Sequence, residues 1–185
     1  LEAFLVSTGL VALAEVGDKT QLLSLVLAAR FRRPWPIIIG ILIATAANHA
    51  LAAGVGAWVT TLVAPGALRW ALGLSFIAMA AWMALPDKLR LGNPERERFG
   101  ALGTTIIAFF IVEMGDKTQV ATVALAAKYA AYFAVLAGTT AGMMIANIPA
   151  VLLGDRLAGR LPVRLVHGIA ALVFAALGLL VLFSA

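Results

Sequence analysis

The sequence predicts an all-α polytopic membrane protein of six transmembrane helices, arranged as two inverted three-helix repeats, and three observations predict it. Hydrophobic residues fill 63% of the 185 positions and charged residues only 12%, too little polar surface to cover a soluble globule. The apolar residues gather into six runs, each near the length of about 20 residues that crosses a hydrocarbon layer. A motif, EVGDKTQ at Glu15–Gln21, returns as EMGDKTQ at Glu113–Gln119, 98 residues later.

The six runs are Ala3 to Ala29, Pro36 to Val63, Ala67 to Leu85, Ala101 to Ala127, Ala131 to Leu153 and Val163 to Phe183. Pro34, Pro36, Pro65, Pro86, Pro94 and Pro162 lie at or between them, where a missing backbone N–H costs least. Pro149 alone falls inside a run, and a kink there is expected. Trp35, Trp58, Trp70 and Trp82 sit near the ends of the second and third runs and are read as anchors at headgroup depth. The stretch Pro86 to Gly100 is the one real linker, so residues 1–88 are expected to form the first repeat, 89–100 a cytoplasmic linker and 101–185 the second repeat.

Basic residues set the orientation. The connections after the first, third and fifth runs carry Arg30, Arg32, Arg33, Lys88, Arg90, Arg96, Arg98, Arg156, Arg160 and Arg164, whereas the other face has only Arg69 and Lys128. The positive-inside rule makes the richer face cytoplasmic and places both termini outside the cytoplasm. This distribution accounts for the net charge of +5 without a nucleic-acid partner. The chain opens on Leu1 rather than Met, so a trimmed native start or leader is expected and targeting is not read.

The motif recurs with further echoes: Gly40 matches Gly138, Asn48 lies near the equivalent of Asn147, and Arg69-x3-Gly73 resembles Arg164-x3-Gly168. An odd number of helices per half forces the second copy to enter the membrane the other way up. Inverted repeats of this kind place a substrate site near the midplane, where they meet.

Both motifs fall near the centres of their runs, where a carboxylate is expensive and demands a partner or a proton. On a helix turning by roughly 100° per residue, Glu15, Asp18 and Lys19 share one stripe, as do Glu113, Asp116 and Lys117. Facing stripes gather Glu15, Asp18, Glu113 and Asp116 as candidate metal ligands. A set of carboxylates suits a hard dication such as Mn²⁺, Ca²⁺ or Mg²⁺. No cysteine and only two, separated histidines weigh against softer metals. With Lys19 and Lys117 the group carries a net charge of minus two, which one dication balances, and protons are expected to replace the ion when it leaves.

Lys19 and Lys117 serve as ion-pair partners of the acids or in transport itself. Gly17 and Gly115 either let the helix unwind, freeing carbonyls for the ion, or let the two motifs pack closer. Gln21, Gln119, Thr20 and Thr118 point partly away from the stripe on an unbroken helix and are placed around the site as polar contributors, the glutamines first. Asn48 and Asn147 offer neutral oxygens or cross-helix hydrogen bonds. His49, turned about 100° from Asn48 on a helix, is read with His167 as a hydrogen-bonded core residue, and Met143 and Met144 as packing.

The paired motif E-x-G-D-[KR]-[ST], once in each half, resembles that of the Gdt family of Mn²⁺/Ca²⁺ transporters, which includes bacterial manganese exporters. Glu15 to Thr20 and Glu113 to Thr118 fit it without departure, and the likeness spans the whole chain. The resemblance implies a cation antiporter of the calcium/cation superfamily, exchanging Mn²⁺ or Ca²⁺ for protons, with Glu15, Asp18, Glu113 and Asp116 as metal-binding carboxylates. It implies export of manganese across a bacterial inner membrane, no prosthetic group and no enzymatic activity. Two rivals remain: a passive divalent-cation channel, and an intramembrane aspartyl protease using Asp18 and Asp116. Oligomeric state is not legible.

Overall fold

The computed structural model describes residues 1–83, 99–153 and 163–183. The expected linker, apart from Phe99 and Gly100, lies outside them, as do Lys88, Arg90, Arg96, Arg98, Arg156, Arg160, Pro86, Pro94 and Pro162. Among the described residues there are eight helices and no strand: α1 Glu2–Glu15, α2 Lys19–Phe31, α3 Pro34–Leu62, α4 Pro65–Met83, α5 Gly100–Glu113, α6 Lys117–Tyr129, α7 Tyr132–Leu153 and α8 Val163–Phe183.

The first and fourth apolar runs are each broken in two at the motif. Val16 adopts φ −63° and ψ 116°, Gly17 follows at φ +79°, and the Asp18 N–H donates to the Glu15 carbonyl at 3.0 Å. This is a type II turn, whose third residue needs a positive φ that glycine reaches without steric cost. Met114, Gly115 and Asp116 repeat it, with Gly115 at φ +75° and a 3.1 Å bond to Glu113. The sequence left unwinding and close packing both open at these glycines; the chain unwinds.

Four helices, α3, α4, α7 and α8, are long and apolar enough to cross a membrane singly. Pro34 opens α3, where its fixed φ suits the first turn. Helix α7 runs through Pro149 without ending. Helices α2 and α6 stop on left-handed residues, Arg32 (φ 52°) and Ala130 (φ 49°), whose N–H groups return to Ala28 and Ala126 at 3.0 Å. These caps turn the chain at once into α3 and α7.

Packing is mediated by small residues, as suits helices with no hydrophobic drive to associate in lipid. Helix α1 lies along α7, α5 and α6 lie along α3, and α4 pairs with α8. A methyl group at Gly142 would stand 2.6 Å from the Thr8 carbonyl, one at Gly138 2.6 Å from Phe4, and one at Gly40 2.8 Å from Thr105. Phe76 of α4 and Phe174 of α8 meet at 6.3 Å between ring centres in one apolar cluster; Leu27, Ile41 and Phe109 belong to another. The outward face is oily, with Leu172 72% and Leu180 65% exposed, and Trp35, Trp58 and Trp70 are exposed as well. Such a surface fits acyl chains and not water.

Candidate metal centre

The two turns bring their acids together. Asp18 occupies the N-cap of α2 and Asp116 that of α6, yet neither carboxylate caps its own helix. Both point into the protein, where Glu15, Asp18 and Asp116 each present an oxygen within 4.8 Å of the other two, all three buried. The N-terminal ends of α2 and α6 carry partial positive charge, favourable to the aspartates.

The lysines cross between motifs. Lys19 Nζ lies 2.9 Å from Asp116 Oδ1, and Lys117 Nζ lies 2.7 Å from Asp18 Oδ1. Lys117 is 2% exposed and Lys19 20%. Each lysine therefore pairs with the aspartate of the other motif.

The glutamines brace the turns. Gln21 Oε1 accepts from the Gly17 N–H at 2.8 Å while its Nε2 donates to the Ala146 carbonyl at 3.0 Å, tying the break to α7. Gln119 Oε1 accepts from Gly115 at 2.7 Å. Thr20 donates to Glu15 Oε2 in a short contact, and the buried Thr118 hydroxyl has no hydrogen-bond partner among the described residues. Thr20 reaches Glu15 because the break turns α2 relative to α1, which the unbroken-helix picture did not allow.

Glu113 makes its own set of contacts. It turns to α3, where Thr45 Oγ1 lies 3.4 Å and Asn48 Nδ2 3.3 Å from its Oε2, and His49 Nε2 3.1 Å from its Oε1. The cause is local: α5 lies along α3, and the polar patch Thr45, Asn48, His49 offers donors there. Asn147 holds helices together instead, accepting from Ser24 at 2.7 Å and donating to the Met143 carbonyl at 3.0 Å. Sequence reasoning assigned no site role to His49, Thr45 or Ser24. The repeat register held the signal, because the 98-residue offset that superposes the motifs places His49, not Asn48, opposite Asn147.

An all-helical chain with an oily exterior and buried carboxylates around two helix breaks defines an integral membrane protein of the cation-transporter class. The family model described as "Divalent cation/proton antiporter GDT1" matches residues 3–90 and 101–185. The chain belongs to that family, one of transporters rather than enzymes. It is 48% identical over 179 residues to a protein of Vibrio cholerae named "Putative manganese exporter", covering 96% of this chain and 89% of that one. A "GDT1-like protein" of Synechocystis is 30% identical over 194 residues, covering 94% and 93%. "GDT1-like protein 3" of Oryza sativa is 28% identical over 201 residues, covering 94% of this chain and 71% of the relative. No solved structure matches the chain.

Proposed function

We propose that the protein exports Mn²⁺ from the cytoplasm in exchange for protons, with Ca²⁺ the second candidate cargo, through Glu15, Asp18, Glu113 and Asp116. One observation carries the reading: carboxylates from two motifs 98 residues apart converge within 4.8 Å at 0–1% exposure. Buried charges of one sign are costly to hold together without a counter-ion, and a hard dication takes carboxylate and carbonyl oxygens. The C-terminal ends of α1 and α5 bring Glu15 and Glu113 with the negative ends of their helices, an arrangement broken helices offer to transported cations.

In this reading each broken helix counts as one span, giving six, and residues 1–88 and 101–185 are inverted repeats joined by a cytoplasmic linker at 89–100. The packing supports it: α1 contacts α6 and α7, and α5 contacts α2 and α3, so exchanging the halves carries one set onto the other. Exchange follows from charge balance. The dication neutralises the excess negative charge of four acids and two lysines, and protons take its place once it leaves. The lysine on each aspartate also favours ion carriage over a protease, whose two aspartates share a proton.

The test is uptake into inverted membrane vesicles, in which the cytoplasmic face is outside. An acid-inside gradient should drive Mn²⁺ accumulation above equilibrium, a protonophore should collapse it, and Asp18→Asn should lower the rate at least about tenfold, as loss of a ligand does. Mn²⁺ that equilibrates but never accumulates marks a passive channel instead. Parallel runs with Ca²⁺ and Mg²⁺ identify the cargo.

A further inference from the structure

We propose that His49 is a direct nitrogen ligand of the transported ion, forming with Glu113 and Asn48 a second seat beside the Glu15, Asp18, Asp116 trio that selects a transition-metal dication over Ca²⁺ and Mg²⁺. The inference rests on the transport reading above and names its substrate class.

His49, Asn48 and Glu113 are all fully buried. His49 Nδ1 and Nε2, Asn48 Oδ1 and Glu113 Oε1 make no hydrogen bond among the described residues, although Nε2 and Oε1 stand 3.1 Å apart. Three buried groups with unused donor atoms at one place need an explanation, because polar atoms removed from water are ordinarily satisfied. The spacing supplies one. Two donors each about 2.1 Å from one ion, at right angles, lie roughly 3 Å apart, close to the separation of the imidazole nitrogen and the carboxylate oxygen.

The other half sharpens the point. At the register-equivalent position Asn147 accepts from Ser24 and donates to the Met143 carbonyl, so both its polar atoms are hydrogen-bonded and it serves as a structural tie. The fold does not require a histidine here. What histidine adds is a nitrogen donor in a site otherwise made of oxygen. Ca²⁺ and Mg²⁺ favour all-oxygen shells, whereas first-row transition ions accept imidazole readily.

The experiment uses the full chain in lipid nanodiscs, with ¹⁵N-labelled histidine and Mn²⁺ as the probe. Electron spin-echo modulation should show a directly bound histidine nitrogen, abolished by His49→Asn and kept by His167→Gln. In proteoliposomes, His49→Asn should lower the Mn²⁺ over Ca²⁺ preference at least about tenfold, the scale of losing a ligand or its support, because Mn²⁺ flux falls much further than Ca²⁺ flux. Mn²⁺ transport that depends on Asp18 but gives no histidine signal overturns the second seat and leaves the carboxylate reading standing. Equal loss of both ions in His49→Asn also overturns it, marking His49 as a positioning residue for Glu113. Unmodified protein that moves neither ion overturns both readings.

Discussion

Lys117 and Lys19 make equivalent ion pairs at different depths, and that difference predicts different costs of removal. Lys117 is 2% exposed and Lys19 20%, so the Lys117–Asp18 pair is closed to water at both ends, whereas the Lys19–Asp116 pair is wetted at its lysine. Lys117→Met should destabilise by about 3–5 kcal/mol, as breaking a buried pair does. Lys19→Met should cost less, and the double variant Asp18→Asn/Lys117→Met should recover most of the loss; thermal unfolding in detergent measures all three. Ala130 sits in the left-handed region at φ 49°, a conformation that costs a residue with a Cβ about 1–2 kcal/mol. Ala130→Gly should therefore raise the melting temperature. The motif acids and lysines were legible in the sequence because charge in an apolar run has few bland explanations. His49 was hidden by helical geometry, since a residue turned 100° from Asn48 looks unable to join it, yet both reach Glu113.

Among helices, the controlling features are the glycine contacts and the two breaks. Gly142→Leu should pry α1 from α7, because even a methyl there stands 2.6 Å from the Thr8 carbonyl, and forced overpacking costs typically about 1–3 kcal/mol or more. Gly9, with nothing within 4 Å of an added methyl, is the matched control, and Gly9→Ala should leave the melting temperature level or raise it. At the breaks, Gly17→Ala meets both a positive φ and the side chain of Val163, whereas Gly115→Ala meets the positive φ with open space beyond. Gly17→Ala should thus be the more damaging in melting temperature and in Mn²⁺ flux. The six apolar runs were readable because hydrophobicity over twenty residues is a strong signal. The breaks were not, since a glycine inside an apolar run is compatible with either a turn or a close crossing, and only backbone angles separate them.

For the whole molecule, the asymmetry of Lys and Arg predicts that residue 185 lies outside the cytoplasm. A chain without cysteine makes the check simple: single cysteines introduced at Trp35 and at Trp58, both exposed near opposite ends of α3, should react with a membrane-impermeant reagent from opposite sides of the membrane. Labelling of both from one side would remove α3 from the set of spans. Which helices would neighbour which was beyond sequence reasoning, because oily runs carry no address. Repetition implied two similar halves but not that α1 would lie on α7 and α5 on α3.

The crossed lysine–aspartate bonds join these halves in a further way. Because Lys19 holds Asp116 and Lys117 holds Asp18, the proposed site requires an arriving cation to loosen a grip maintained from the opposite half whichever aspartate it touches first. Neither motif owns its own lock, so in that proposal occupancy of either aspartate is felt by both motifs in the same event. A leak, in which one side swings while the other stays put, is disfavoured by that wiring.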